Sequence, residues 1–129
     1  MKLLLKTLKA LADGNRLRII RLLLDRPRCV CELQKALGIT QPSVSKHLRI
    51  LEEAGLVDKT RSGQYIDYHL ALLTDPTEQR AVLSAHLITL LQQDPELTAF
   101  SQQASHINRQ TLCRPNRNRT AEVAQPNAL

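Results

Sequence analysis

The chain has 129 residues, 43% of them hydrophobic but only 2% aromatic, and carries a formal net charge of +6. That length holds one domain and a tail, with a core that Leu, Ile, Val and Ala must fill as in small helical proteins. No run reaches the ~18 apolar residues of a membrane helix, and an odd count of three cysteines, two of them one residue apart, makes no disulfide framework and suits a reducing cytoplasm.

Residues 1–72 hold 13 Lys/Arg against 7 Asp/Glu, whereas residues 73–129 hold 5 of each. The whole surplus of +6 therefore sits in the first half, where an acidic partner such as nucleic acid would dock. The opening Met1 to Ala12 ends in Ala-x-Ala like a secretory leader, but Lys6 and Lys9 interrupt its apolar run. Leu4, Leu8 and Leu11 recur at helical spacing, so an amphipathic helix is expected over 3–12. Asp13 is the expected N-cap of a second helix carrying Leu17, Ile20 and Leu24, closed by Asp25-Arg26-Pro27. A third helix is expected over 29–37, with Gly38 as its stop. Thr40 should cap a fourth over 41–54, with Pro42 in its first turn and Val44, Leu48 and Leu51 inward.

Residues 57–61 and 64–70 read as two strands around a Ser62-Gly63 turn, a hairpin that forms a wing beside the preceding helices. Helix returns over 76–93, with Leu83, Leu87, Leu90 and Leu91 on one side. From 94 a polar tail is expected, with some helix over 96–107 and disorder over 114–129. The expected fold is mainly α with a small β-hairpin wing: four helices, two strands and a fifth helix, a winged helix-turn-helix over 1–93.

Helix three, the turn Gly38-Ile39-Thr40 and helix four satisfy the need for a short turn that presents one helix to the major groove while another braces it. Gln41, Ser45, Lys46 and Arg49 point outward, Ser43 and His47 lie on the flank, and Arg61, Ser62 and Gln64 crown the wing. All are suited to base edges and phosphates. Leu4 and Leu8 on the first helix, and Leu83, Leu87 and Leu90 on the last, form stripes that one small domain cannot cover; they are expected to meet a second copy. No Gly-rich phosphate loop, nucleophile elbow or acid–base pair points to an enzyme.

Three stretches carry a resemblance: Ala10 to Ile20, Cys29-Val30-Cys31-Glu32-Leu33, and Gln41 to Leu51 followed by Glu53-Ala54-Gly55-Leu56-Val57. Over residues 3–92 the chain resembles the ArsR/SmtB-type winged-helix repressors. The resemblance implies a homodimer that represses from a double-stranded operator until a metal or metalloid binds. Cys-Val-Cys on helix three is similar to the arsenite/antimonite branch, so As(III) or Sb(III) is the implied inducer. Gly14 stands where Pro is common in the family, and a third cysteine of some arsenite repressors would fall at Gln34. Tetrathiolate cadmium/lead sensors need cysteines before Cys29, absent here. The zinc sensors need a two-His spacing that Asp75, Glu78 and His86 do not provide.

Cys29 and Cys31 are the candidate ligands. Cys113 is either the third ligand, from the tail of either subunit, or an idle thiol. The helix N-terminus with Arg26 and Arg28 beside it should favour thiolate. Residues i and i+2 of an α-helix point about 200° apart. The two sulfurs are therefore expected to share an ion only when the start of helix three unwinds, loosening the reading helix by the ~1–3 kcal/mol typical of allostery. Alternatives are a thiol-redox switch pairing Cys29 or Cys31 with Cys113, a cadmium or zinc response, or a winged helix that binds protein instead of DNA.

Overall fold

A computed structural model describes residues 1–71 and 78–112, the side chains of 78–81 and 111–112 excepted. Helices α1 (Lys2–Leu11) and α2 (Gly14–Asp25) are joined at Asp13, whose carboxylate accepts the Arg16 amide at 3.1 Å as the expected N-cap. α2 buries Ile19, Ile20, Leu22 and Leu23, while Leu17 and Leu24, expected inward, are half-buried at the margin. α3 (Val30–Leu37) stops at Gly38, whose φ of 67° is left-handed. Thr40 caps α4 (Gln41–Glu53), accepting the Ser43 amide at 3.3 Å; Val44, Leu48 and Leu51 are its buried stripe.

The helix expected from residue 29 begins one residue later, and that residue belongs to a strand. Pro27 favours extended backbone before it, and Arg26 has φ −170° and ψ 163°. The chain stays extended through β1 (Arg28–Cys29) and pairs with the wing. The wing itself is β2 (Val57–Ser62) and β3 (Tyr65–Leu70), and the sheet order is β1-β3-β2. Ser62 faces Tyr65, so the loop is Gly63-Gln64 rather than Ser62-Gly63. Gly63 has a φ of 61° and no described non-glycine residue has positive φ, the pattern of a type II′ turn, which suits twisted strands.

α5 (Glu78–Gln93) follows residues 72–77, which lie outside the described residues. The helix expected within 96–107 is α6 (Pro95–Ala104), and α7 (Arg109–Leu112) follows it. Asp94 caps α6 by accepting the Leu97 amide at 3.0 Å. Ala104 and Ile107 join Leu22, Leu33, Leu48, Leu51, Leu56 and Leu70 in one core. The segment's few apolar residues are spaced to face inward, so its polar composition disguised a packed face.

Candidate functional site

Cys29 is the N-cap of α3, with extended backbone at φ −86° and ψ 168°, and Cys31 is the second residue of the helix. Extended geometry at the first of the two turns its side chain toward the second, and the sulfurs stand 3.5 Å apart. The expectation that they diverge until the helix unwinds is thus corrected. α3 is intact and the pair is already convergent, because one cysteine is outside the helix. Cys29 is a free, buried thiol and Cys31 is disulfide-bonded. Cys113 lies outside the described residues.

Glu32 organises this corner. Its side chain is only 2% exposed; Oε1 accepts the Cys29 amide at 3.1 Å, closing a capping box with the N-cap residue. Arg26 Nη1 stands 2.8 Å from Oε2, an ion pair set off the hydrogen-bond line. Arg28 is buried, and its Nη1 donates to the Ala104 carbonyl at 3.4 Å. Burial, and then the Arg26 charge, press its pKa down.

The expectation of a ready Cys29 thiolate is also overturned. Burial pushes the Cys29 pKa up, and the Glu32 charge pushes it further, outweighing the helix-end amides of Glu32 and Cys31. The flanking arginines do not rescue it: Arg26 is engaged by Glu32, and Arg28 turns toward α6. A cleft of about 500 Å³ opens beside the corner, lined in part by Arg26, Glu32, Asp67, His106 and Arg109.

The sulfur corner touches both elements expected to read DNA. α3 packs against α4. Through β1, Cys29 lies opposite Asp67 of the wing strand β3. On α4, Gln41, Lys46 and Arg49 are exposed and Ser45 is half-buried. Ser43 is spent on the cap, receiving the Thr40 hydroxyl at 2.9 Å. His47 is also engaged internally, its Nδ1 3.5 Å from Arg16 Nη1 and 4.0 Å from Asp13 Oδ1. At the wing tip Arg61, Ser62 and Gln64 are exposed. Leu4, Leu8 and Leu90 are largely exposed, Leu83 is half-buried, and Leu87 packs partly on the core. Glu32, Asp67 and Arg109 were not read from the sequence as site residues. Cys-x-x-Glu ahead of an apolar run is a capping-box spacing and could have flagged Glu32; Asp67 and Arg109 meet only through the fold.

Residues 13–59 match the family model described as bacterial regulatory protein, arsR family. The chain is 36% identical over 89 residues to the arsenical resistance operon repressor of Bacillus subtilis, covering 68% of this chain and 81% of that one. It is 48% identical over 64 residues to the transcriptional repressor SmtB of Mycobacterium tuberculosis, covering 50% of this chain and 47% of the relative. The match thus spans about half the length of that curated relative. Among solved structures, it resembles the homodimeric winged helix-turn-helix DNA-binding domain of a possible ArsR-family regulator from Mycobacterium bovis. That likeness has a TM-score of 0.57 and 31% identity, and covers 69% of this chain and 78% of that one.

Proposed function

This chain belongs to the arsR family of bacterial regulatory proteins, and on that premise we propose that it is a homodimeric transcriptional repressor released from its operator by a trivalent metalloid. Arsenite or antimonite binds the thiolates of Cys29 and Cys31, with Cys113 as third ligand. The observation that carries this reading is the 3.5 Å between the two sulfurs at the N-terminus of α3. Thiolates each about 2.3 Å from a shared thiophilic ion stand about 3.5–3.8 Å apart, so the donor set fits such a guest once the sulfurs are reduced. Sulfur donors favour soft ions over magnesium or calcium.

The chain's own residues supply the coupling. Cys29 gives up its proton against burial and the nearby Glu32 charge, so loading alters the balance of Glu32, Arg26 and Arg28 at the base of α3. That helix braces α4, and β1 passes the same disturbance to β3. The DNA contacts fall to Gln41, Ser45, Lys46 and Arg49 on α4, flanked by Ser43 and His47, and to Arg61, Ser62 and Gln64 on the wing. Leu4 and Leu8 of α1, with Leu83, Leu87 and Leu90 of α5, meet the second copy. No helix among the described residues is long and apolar enough to cross a membrane, and the protein works in the cytoplasm.

The disulfide at Cys31 favours a second reading on the same fold. Two thiols give two protons and two electrons to a peroxide, which leaves as two waters, and the new S–S bond replaces the guest as the signal. Titration of a selected DNA duplex with arsenite, antimonite, cadmium, zinc and peroxide separates the readings, with Cys29→Ser/Cys31→Ser as control. Release by arsenite or antimonite, lost in the double variant, is expected. Release by peroxide alone supports the redox switch; release by cadmium or zinc alone overturns the metalloid assignment.

A further inference from the structure

The wing has a fixed base and a projecting tip. Val57 and Leu70, opposite each other at the base, are buried, while every residue of β2 beyond Val57 is exposed. Tyr65, at the tip end of β3, stands about 17 Å from Leu70 along the strand at about 3.3 Å per residue. A two-stranded ribbon of that reach is marginally stable on its own and needs a hold from outside. On the β2 side a Lys59–Glu52 pair at 3.6 Å reaches α4, but its lysine is half-exposed and such pairs contribute little. The hold on β3 is tighter. Tyr65 and Asp67, two residues apart, share one face of the strand. Arg109 of α7 lies against both: Nη1 pairs with Asp67 Oδ1 at 2.6 Å, and the guanidinium is 4.4 Å from the centre of the Tyr65 ring. The Asp67 and Arg109 side chains are only 20% and 28% exposed, so water screens this pair less.

Arg109 is itself held in place. The Asn108 side chain accepts the Gln110 amide at 2.6 Å and so shapes the start of α7 around Arg109. Ile107 is buried in the core, and Arg26 Nη2 donates to its carbonyl. α7 packs on α3, the helix that braces α4. We propose that Arg109 is a positioning residue for the wing: it joins β3 to the body that carries the reading helix, and so fixes where Arg61, Ser62 and Gln64 stand relative to α4. Arg61 moves with the tip, because its Nε donates to the Gly63 carbonyl at 3.3 Å. The proposal rests on the reading of the wing as a DNA contact. Were Arg109 merely a stabilising contact, its loss would lower stability and leave the pose of the wing unchanged.

Arg109→Ala and Asp67→Ala break the hold from opposite ends and change the charge in opposite directions. If charge alone counted, the first would weaken DNA binding and the second would strengthen it. Loss of the wing's position weakens both. Backbone amide relaxation of the whole chain, reduced and free of DNA, should show order parameters at residues 61–66 falling from about 0.85 to about 0.6 or less in both variants. Arg61→Ala should lower the salt slope of DNA binding by about 1 in the unaltered protein, and by much less in either variant. Unchanged order parameters in both variants would overturn the proposal. So would affinities that move in opposite directions with the full Arg61 slope retained. If Arg61→Ala has no effect on DNA binding even in the unaltered protein, the wing is removed from the DNA contacts; loosened order parameters in both variants would then still uphold Arg109 as the wing's anchor.

Discussion

Glu32 separates structural from electrostatic roles at the sulfur corner. Its carboxylate accepts the Cys29 amide at 3.1 Å and faces Arg26 at 2.8 Å. Glu32→Ala removes both. The lost capping bond, made to a buried carboxylate, costs about 1.5–3 kcal/mol, and the half-exposed Arg26 pair adds up to about 1 kcal/mol. Arg26 is 42% exposed and can rehydrate, so the total should fall near 2–4 kcal/mol. At roughly 4–8 °C per kcal/mol for a domain of this size, melting should drop by about 10 °C or more. Glu32→Gln keeps the acceptor for the Cys29 amide and loses only the charge, so it should cost about 1–2 kcal/mol by the same scale of neutral against charged hydrogen bonds. Its effect on Cys29 has the opposite sense. The Glu32 charge helps hold the Cys29 pKa up, so removing it should favour thiolate and speed alkylation of reduced protein at neutral pH. Urea titration gives the stability, and mass-resolved alkylation across pH gives the reactivity. A Glu32→Gln variant that is less stable and also slower to alkylate at Cys29 would refute the electrostatic argument.

Four further outcomes are expected. Ile107→Ala should cost about 2–5 kcal/mol in a single cooperative unfolding transition; an unchanged urea midpoint would mean that α6–α7 adds nothing to the core. The Asp13 carboxyl is held below its usual value although burial alone would raise it, because the Arg16 amide and the Arg16 and His47 charges favour the carboxylate. A depressed carboxylate contributes stability above its unfolded pKa of about 3.9 that is lost as pH falls through the folded value. Asp13→Asn should keep the cap and flatten that acid-side loss, read by melting between pH 2 and about 5. Lys46→Ala should weaken DNA binding on all sequences and lower the salt slope by about 1, whereas no change in slope would remove Lys46 from the phosphate contacts. Leu4→Glu with Leu8→Glu should give a monomer by sedimentation; an intact dimer would move the interface off α1.

The helix-turn-helix was legible because its signals are local. Asp13 and Thr40 cap where their side chains predict, Gly38 stops α3 in left-handed geometry, and Val44, Leu48 and Leu51 keep helical spacing. Arg28 and Cys29 were harder to place. A two-residue strand has no periodicity of its own and exists because β3 offers it a partner. Assigning Cys29 to the helix then reversed the direction of its side chain and with it the expected behaviour of the pair. The Cys29 pKa failed for a related reason: nearby arginines predict thiolate only if they face the thiol, and the fold turns them to Glu32 and Ala104. In the polar segment after 94, Ala104 and Ile107 were too sparse to announce a buried face.

Cys29 and Cys31 converge at the mouth of an intact α3. Amide hydrogen exchange across Val30–Leu37, in reduced protein with and without arsenite, tests it most directly. The hydrogen-bonded amides of α3 should keep their protection while arsenite is held and DNA is released. Loss of protection in the first turns of α3 on loading would show that the helix must open to bring the sulfurs together, and would contradict it.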